Sequence, residues 1–278
     1  MQGNEAQAAW PLALLVAGLA GAGLGLLLLP WWTRRRHARL QQRPLPRAWR
    51  RILQRRVPLV SRLPLALQQR LHGLVQVFIA DKPFIGCAGQ VIDDEVRVTI
   101  AAQACLLLLG QSDGSCYPRL RQVLVYPEAF IAPRREVLPG GVVREQPQAL
   151  AGESWSQGQV ILAWSEVLAG AAEPHDGRNL VLHEFAHQID QDSGDADGRP
   201  WLADALAREQ FAAAMGAAFA RLQQEDSPTL DPYGATAPAE YFAVATEAFF
   251  ERPQALAAEA PEVYAELVRL YCLDPARW

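Results

Sequence analysis

The pattern of apolar and polar positions divides the chain into three stretches of different character. Residues 8–32 form an apolar run without a charged side chain, longer than the about 20 residues with which an α-helix spans a bilayer. Residues 34–64 are polar and interrupted by prolines, and they predict a linker with a short helix at 48–56. From residue 65 to residue 278, apolar runs recur with the periods of helices and strands, which predicts one globular domain.

Strand-like segments come before most of the helical ones within the globular stretch. The continuously apolar residues 98–109 predict a buried helix that ends at Gly110. Strands are then predicted at 122–127, 140–144 and 159–164. Helices are predicted at 178–192, 202–224 and 237–251, followed by a terminal helix from residue 254. This order predicts the α+β fold class.

The N-terminal apolar run predicts a transmembrane segment over residues 1–33. Trp10 and Trp32 stand near its ends, where amphipathic rings favour the membrane interface. A cleaved signal peptide is the alternative, but the residues before the run include Glu5 and no basic side chain. Because Arg34–Arg36 follow the run, the positive-inside bias predicts a single-pass protein of the inner membrane with its globular domain in the cytoplasm.

Charge is partitioned along the chain in a way that the net charge of −4 conceals. Residues 34–70 contain twelve arginines and no acidic side chain, whereas residues 71–278 hold 14 basic and 29 acidic ones, a balance of −15. Beside a membrane span, the arginine-rich residues predict a juxtamembrane linker that contacts anionic headgroups. A nucleic-acid-binding tail is the alternative, but the acidic domain would repel phosphate, so no direct nucleic-acid contact is expected.

The strongest chemical signal is the His-Glu-x-x-His motif that runs from His183 through Glu184 to His187, in an apolar frame. On a helix, residues i and i+4 project from one face, so both histidines can offer an imidazole to one Zn²⁺. Glu184 then lies beside the water that the metal activates. The motif predicts a hydrolytic zinc centre, and the alternative is a helix with two ordinary histidines.

A third ligand must complete the set, because catalytic zinc normally takes three protein ligands. No histidine follows His187, so the ligand must be acidic. Glu240 is favoured because it lies in the apolar helix at 237–251, where a buried carboxylate is costly without a metal or another partner. Glu247 shares its helical face and is expected to reach a ligating imidazole from behind. The alternatives are that Glu240 is only an exposed first-turn acid, or that the ligand comes from the glycine-rich loop. The loop acids are Asp192, Asp195 and Asp197.

Two further side chains near the motif are weighed for a role. Tyr233 precedes Glu240 by seven residues, in the loop that would deliver the helix to the site. A phenol there can donate a hydrogen bond to the oxyanion that forms when water attacks a carbonyl. The alternative is a packed loop tyrosine. His175 lies in a Pro-His-Asp-Gly turn and is predicted to be a plain loop residue.

Several motifs occur together in the order seen in a known family. The motif at 183–187 and the segment 233–243 resemble the Mlc titration factor A family of zinc-dependent peptidases. Residues 124–127 and 152–164 are similar to that family as well, so the resemblance covers about residues 65–278. The combination of His-Glu-x-x-His with Tyr-x₆-Glu is also similar to the catalytic domain of anthrax lethal factor. This resemblance implies a zincin-like metallopeptidase domain, mostly helical with a small sheet.

The resemblance also implies a role for each site residue. His183, His187 and Glu240 would be Zn²⁺ ligands, Glu184 the general base and Tyr233 the oxyanion donor. The implied activity is aminopeptidase-like hydrolysis of a peptide or protein substrate by a metal-activated water. Independently of the resemblance, the strand at 159–164 is a candidate sheet edge for an extended peptide, and the alternative is an internal strand.

Two other functions share the same residues. One is a zinc-containing regulatory protein that binds a transcriptional repressor of the Mlc type, since the founding member of the family binds that repressor. A closed structural zinc site usually has four protein ligands and would leave Glu184 without a task, which favours catalysis. The other is a different zinc hydrolase, such as an amidase.

Overall fold

The computed structural model describes residues 14–15, 28–111, 116–137, 143–150, 152–155, 158–194 and 196–278. Contacts divide the chain into two compact units, Met1–Arg43 and Pro44–Trp278. In the first unit, residues 28–42 are helical. The second unit contains the residues of the predicted metal site.

The predicted transmembrane segment requires a correction. Among the described residues, no helix is both long enough and apolar enough to cross a membrane. Of the apolar run at 8–32, residues 8–13 and 16–27 lie outside the described residues. Residues 28–32 belong to a helix that continues directly into Arg34–Arg36. The predicted localisation, a single-pass protein of the inner membrane, is therefore wrong.

The second unit is mostly helical. Its described residues form nine α-helices: α1 Arg47–Arg56, α2 Leu65–Asp81, α3 Asp94–Leu106, α4 Trp164–Ala172, α5 Leu180–Asp190, α6 Ala205–Leu222, α7 Pro238–Glu251, α8 Pro253–Glu259 and α9 Pro261–Tyr271. They also form six strands: β1 Phe84–Gly86, β2 Gln122–Tyr126, β3 Phe130–Val137, β4 Val143–Leu150, β5 Gly152–Trp155 and β6 Gln159–Ala163. Helices with a small sheet confirm the predicted α+β class.

The main sheet has the strand order β1-β2-β6-β5. Strands β1, β2 and β6 are parallel, and β5 runs antiparallel to β6 with Gly152 opposite Leu162. Strands β3 and β4 form a separate antiparallel pair. Strand β6 lies between two neighbours, so the predicted peptide-binding edge at 159–164 is wrong. The two edges of this sheet among the described residues are β1 and β5.

Part of the predicted linker at 34–64 packs within the second unit, which begins at Pro44. Prolines interrupt this stretch because they begin helices: Pro46 is the N-cap of α1, and Pro64 is the N-cap of α2. Apolar side chains of the stretch are buried, among them Leu53 and Val57. Proline fixes a backbone angle that suits a helix start, so it marks boundaries here without making a linker.

The arginine-rich segment makes specific contacts with the first turn of α3. Arg55 pairs with Glu95 at 2.9 Å, and Arg56 pairs with the same carboxylate. The indole Nε1 of Trp49 donates to Asp94 at 2.9 Å. Acidic residues are favourable in a first turn because the helix dipole is positive there. These contacts attach α1 to the globular unit.

Helices α5 and α7 pack against each other and carry the predicted site. Along α5, apolar side chains recur at positions that share one face, and Phe185 is fully buried. Its ring makes edge contacts with Tyr117, at 4.8 Å between ring centroids, and with Phe78, at 5.7 Å. Burial of such a ring contributes about 1.5–3 kcal/mol. The predicted helices at 178–192, 202–224 and 237–251 therefore exist as α5, α6 and α7, with ends shifted by at most three residues.

Candidate metal centre

Local sequence explains where the two site helices begin. Asn179 is the N-cap of α5, and its side-chain oxygen accepts a hydrogen bond from the backbone N–H of Leu182 at 3.0 Å. Helix α7 begins at Pro238, which costs no hydrogen bond because first-turn N–H groups have no intrahelical partner. Glu240 lies in that first turn, and the residues from Tyr241 to Glu251 are all buried.

Three side chains from these helices converge on one point. Nε2 of His183 lies 3.2 Å from Nε2 of His187. One carboxylate oxygen of Glu240 lies 3.0 Å from the first of these nitrogens and 3.4 Å from the second. No other group of three or more His, Cys, Asp or Glu side chains with metal-ligand geometry occurs among the described residues. The structure thus brings together the three residues that the sequence predicts as ligands.

The three distances fit a zinc ion. Ligand atoms at about 2.0–2.1 Å from a tetrahedral zinc lie about 3.3–3.4 Å from one another. The distances of 3.0, 3.2 and 3.4 Å are close to that triangle. Two imidazole nitrogens and one carboxylate oxygen are also a donor set that zinc accepts. The residues present therefore fit the predicted metal.

The electrostatics of the cluster favour an ionised glutamate. Burial raises the pKa of Glu240, but hydrogen bonds from His183 and His187 outweigh burial and lower it to about 2. Burial lowers the pKa of His183, yet the hydrogen bonds to Glu240 and Glu247 bring it well above its ordinary value. The Glu240 carboxylate is ionised at neutral pH and can therefore bind a cation. Such a cation would have to displace a proton from His183.

Glu247 supports the first histidine from behind. Nδ1 of His183 and a carboxylate oxygen of Glu247 are 2.8 Å apart. When Nδ1 donates this hydrogen bond, the lone pair of the neutral ring lies on Nε2, which points at the other two ligand candidates. The predicted position of Glu247 behind a ligating imidazole agrees with this contact.

The predicted base is buried, whereas the predicted oxyanion donor is largely exposed to solvent. Glu184 is 5% exposed and follows His183 on α5, whereas Tyr233 is 49% exposed. The ring of Tyr233 lies 6.0 Å from the ring of His183, measured between centroids. A short 3₁₀ turn holds it, in which Asp231 accepts from the Tyr233 N–H at 2.9 Å and pairs with Arg178 at 2.8 Å. Tyr233 therefore borders the candidate site from the solvent side.

The alternative residues lie apart from the convergence point. His175 is an exposed turn residue, as predicted, and Asp197 is exposed in its loop. Asp192 lies in the short turn after α5 and is absent from the cluster of ligand atoms. Asp195 lies outside the described residues. The roles of ligand, base and oxyanion donor remain predictions for the residues that do converge.

Sequence reasoning missed a buried polar cluster behind the site. The side-chain amide of Asn179 donates to Gln103 at 2.8 Å and to Glu251 at 2.9 Å. Its backbone N–H donates to Glu247. A signal for one member was present, because Glu251 follows Glu247 by four residues and so lies on the same face of α7. Nothing local pointed to Gln103, which lies 76 residues from Asn179 in the chain.

Glu251 predicts a pH dependence of stability. Burial raises its pKa to about 8, even though hydrogen bonds from Asn179 and Gly177 favour the ionised form. Because the folded pKa exceeds the ordinary 4.5, the folded state binds more protons between these values. Its contribution is therefore fully present below about pH 4.5 and is lost as pH rises through about 8.

We expect Glu251→Gln to flatten the fall of the unfolding free energy between about pH 4.5 and about pH 8, because the amide does not titrate. Chemical denaturation at a series of pH values measures this. Glu262→Gln, at an exposed acid of α9, is the control and should keep the wild-type slope. An unchanged slope in the Glu251 variant would show that other groups cause the pH dependence.

Comparison with known proteins places this site in a family. Residues 29–272 match the family described as glucose-regulated metallo-peptidase M90. The Mlc titration factor A of Serratia proteamaculans is 33% identical over 230 residues, which cover 79% of this chain and 85% of that protein. The Mlc titration factor A of Salmonella agona is 32% identical over 234 residues, 80% of this chain and 84% of that protein.

A protein of Synechocystis sp. is similar over a longer span. It is 40% identical over 270 residues, covering 95% of this chain and 98% of that protein. The sequence resemblance covers about residues 65–278, and this match extends beyond them. The family model likewise begins earlier, at residue 29. The predicted resemblance is confirmed, and the chain belongs to the glucose-regulated metallo-peptidase M90 family.

Proposed function

We propose that the protein is a zinc-dependent peptidase with aminopeptidase-like action. The observation that carries the proposal is the convergence of His183, His187 and Glu240, with Glu184 beside them and Tyr233 at the solvent side. The first three would hold the ion. A zinc ion bound there supplies Lewis acidity, which polarises a peptide carbonyl and makes a water molecule more acidic.

Glu184 is the proposed general base. It follows His183 directly on α5, and its side chain is buried at 5% exposure. A carboxylate in such a position accepts a proton from the attacking water and later passes it to the leaving amine. Low exposure limits the access of bulk water to this exchange, which keeps the proton at the site.

Tyr233 is the proposed oxyanion donor. Its hydroxyl belongs to a ring that borders His183 and remains 49% exposed, so an incoming substrate can reach it. Tyr233 lies on a turn that also contains Asp231. The ion pair between Asp231 and Arg178 connects this turn to the segment that precedes α5. A phenol held this way donates to the oxygen on which negative charge develops.

Strand β5 is the proposed docking edge for the peptide main chain. It pairs antiparallel with β6 on one side and contacts α5, the helix that carries the motif. Its other side is therefore a sheet edge beside that helix. An extended peptide adds to such an edge through main-chain hydrogen bonds. The proposal replaces the edge predicted at 159–164, which lies inside the sheet.

A second candidate function is the regulation of a transcriptional repressor. Several relatives bear the name Mlc titration factor A, and the two described above each align over about four fifths of this chain. A protein that acts only by binding would have no need of Glu184 as an acid. Two results together would favour this function. The Glu184→Gln variant would bind the purified repressor, and the wild type would show no peptide turnover.

The test of the peptidase proposal is product analysis with the full chain loaded with zinc. A mixed peptide library is incubated with the wild type, with the chelator-treated protein and with Glu184→Gln, and products are identified by mass spectrometry. We expect the wild type alone to release single N-terminal residues. Internal fragments would replace the aminopeptidase assignment with endopeptidase action. No cleavage by the zinc-loaded wild type would overturn the proposal.

A further inference from the structure

Asn179 lies where helices α3, α5 and α7 meet, and it is 3% exposed. Every polar group of this residue is engaged. Its side-chain oxygen caps α5 at Leu182, and its backbone oxygen accepts from the N–H of His183 at 2.9 Å. Its side-chain amide donates to Gln103 and Glu251, and its backbone N–H donates to Glu247. A buried asparagine that uses all of its groups is held in one orientation.

Two hydrogen bonds connect Asn179 to the candidate metal centre. One oxygen of Glu247 accepts from the Asn179 N–H, and the other is 2.8 Å from Nδ1 of His183. With both oxygens engaged, the carboxylate cannot rotate freely, and the imidazole plane is fixed in turn. The direction of Nε2 in His183 therefore depends on the backbone position of Asn179.

Asn179 also contacts a second buried acid of α7, through its side chain. Glu247 and Glu251 are one helical turn apart on α7 and are 7% and 1% exposed. The amide of Asn179 donates to Glu251 at 2.9 Å, and the N–H of Gly177 donates to its other oxygen at 3.2 Å. Asn179 thus donates to both acids, to Glu247 from its backbone and to Glu251 from its side chain.

We infer that Asn179 is a positioning residue of the metal centre, which holds Glu247 against His183 while its amide anchors Glu251 and Gln103. The choice of asparagine follows from this task. Aspartate caps a helix about as well. It would replace the amide donors that face Gln103 and Glu251 with carboxylate oxygens, so the hydrogen bonds that the amide donates to both would be lost. The inference deepens the proposed function, but its readout on metal binding does not depend on peptide hydrolysis.

The test uses the full chain with Asn179→Asp and Asn179→Ser. Zinc affinity is measured by competition with a chromophoric chelator at constant pH. We expect Asn179→Asp to lose about 10–100-fold in zinc affinity, the range found when a residue behind a metal ligand is removed. Asn179→Ser keeps a capping oxygen and the backbone N–H, so we expect it to lose about tenfold in zinc affinity. In the metal-free protein, the NMR signal of the Nδ1 proton of His183 should shift or broaden in both.

Asp93→Ala is the matched control. Asp93 caps α3 through a hydrogen bond from the Val96 N–H at 2.9 Å, just as Asn179 caps α5. Its removal should lower the melting temperature without changing zinc affinity or the His183 signal. If the Asn179 variants match Asp93→Ala in both readouts, Asn179 is only a helix cap and the inference fails. Should Asn179→Asp not fold, Asn179→Ser carries the comparison.

A polarity exchange provides the rescue. In Asn179→Asp combined with Glu251→Gln, the new amide can donate to the new carboxylate, while its oxygen still accepts from Gly177. We expect the double variant to recover zinc affinity relative to Asn179→Asp alone, and no recovery would count against the inference. Absence of peptide turnover in the wild type would overturn the proposed function and leave these zinc comparisons valid. Unchanged zinc affinity in an active enzyme would overturn the role of Asn179 alone.

Discussion

Replacement of Glu240 by alanine is expected to abolish zinc binding at stoichiometric concentrations. The residue supplies one of three converging donor atoms, at 3.0 Å and 3.4 Å from the two imidazole nitrogens. Without it, only two protein ligands remain, fewer than catalytic zinc sites normally have. The loss should exceed the about 10–100-fold decrease that accompanies removal of a residue behind a ligand. Elemental analysis after dialysis against equimolar zinc measures it.

Glu262→Ala is the control for this substitution. Glu262 lies in the first turn of α9 as Glu240 lies in the first turn of α7, so both interact with a helix dipole. The control should bind one zinc per chain. If Glu240→Ala also retains one zinc with unchanged affinity, Glu240 is merely a first-turn acid and the third ligand lies elsewhere.

Replacement of Glu184 by glutamine is expected to keep the zinc and lose hydrolysis. The amide has nearly the same shape as the acid, so the packing of α5 persists, but it cannot accept a proton from water. Loss of a general base lowers kcat by about 10²–10⁴-fold. The turnover of a peptide found in the library screen, together with zinc content, measures both effects.

Glu209→Gln, at an exposed position on α6, serves as the control for Glu184→Gln and should retain full turnover. A Glu184→Gln variant that binds zinc and cleaves the peptide at the wild-type rate would exclude Glu184 as the base. A variant that loses zinc would mean that the residue acts in metal binding, contrary to the geometry of the three ligand atoms.

Much of the candidate site could be predicted because its signals are local. His183 and His187 are one helical turn apart, and that spacing alone places both on one face of α5. Glu240 was found because the surrounding sequence is too apolar for a surface helix. The contact between Glu247 and His183 followed from the helical face that Glu247 shares with Glu240. Each inference needed only a short window of sequence.

The parts that could not be predicted depend on contacts between distant segments. Asn179 meets Gln103 and Glu251, which lie 76 and 72 residues away, and no periodicity encodes such a meeting. The edge prediction for β6 fails because nothing in its sequence indicates that β5 returns to pair with it. The predicted linker at 34–64 includes residues that belong to the second unit, because proline marks both helix starts and chain breaks.

The N-terminal prediction failed for a different reason. A run of 25 uncharged residues indicates a membrane span by length and composition alone. The structure describes residues 28–32 of that run in a helix that also holds Arg34–Arg36, and no described helix meets the requirements of a span. Length and composition alone therefore led to a localisation that the described helices do not support.

X-ray diffraction from crystals of the zinc-loaded protein, recorded on both sides of the zinc absorption edge, tests the central claim most directly. We predict one anomalous peak at about 2.0–2.2 Å from Nε2 of His183, Nε2 of His187 and a carboxylate oxygen of Glu240. Nδ1 of His183 should remain hydrogen-bonded to Glu247. A peak bound by other side chains, or no peak in crystals grown with zinc, would contradict the account.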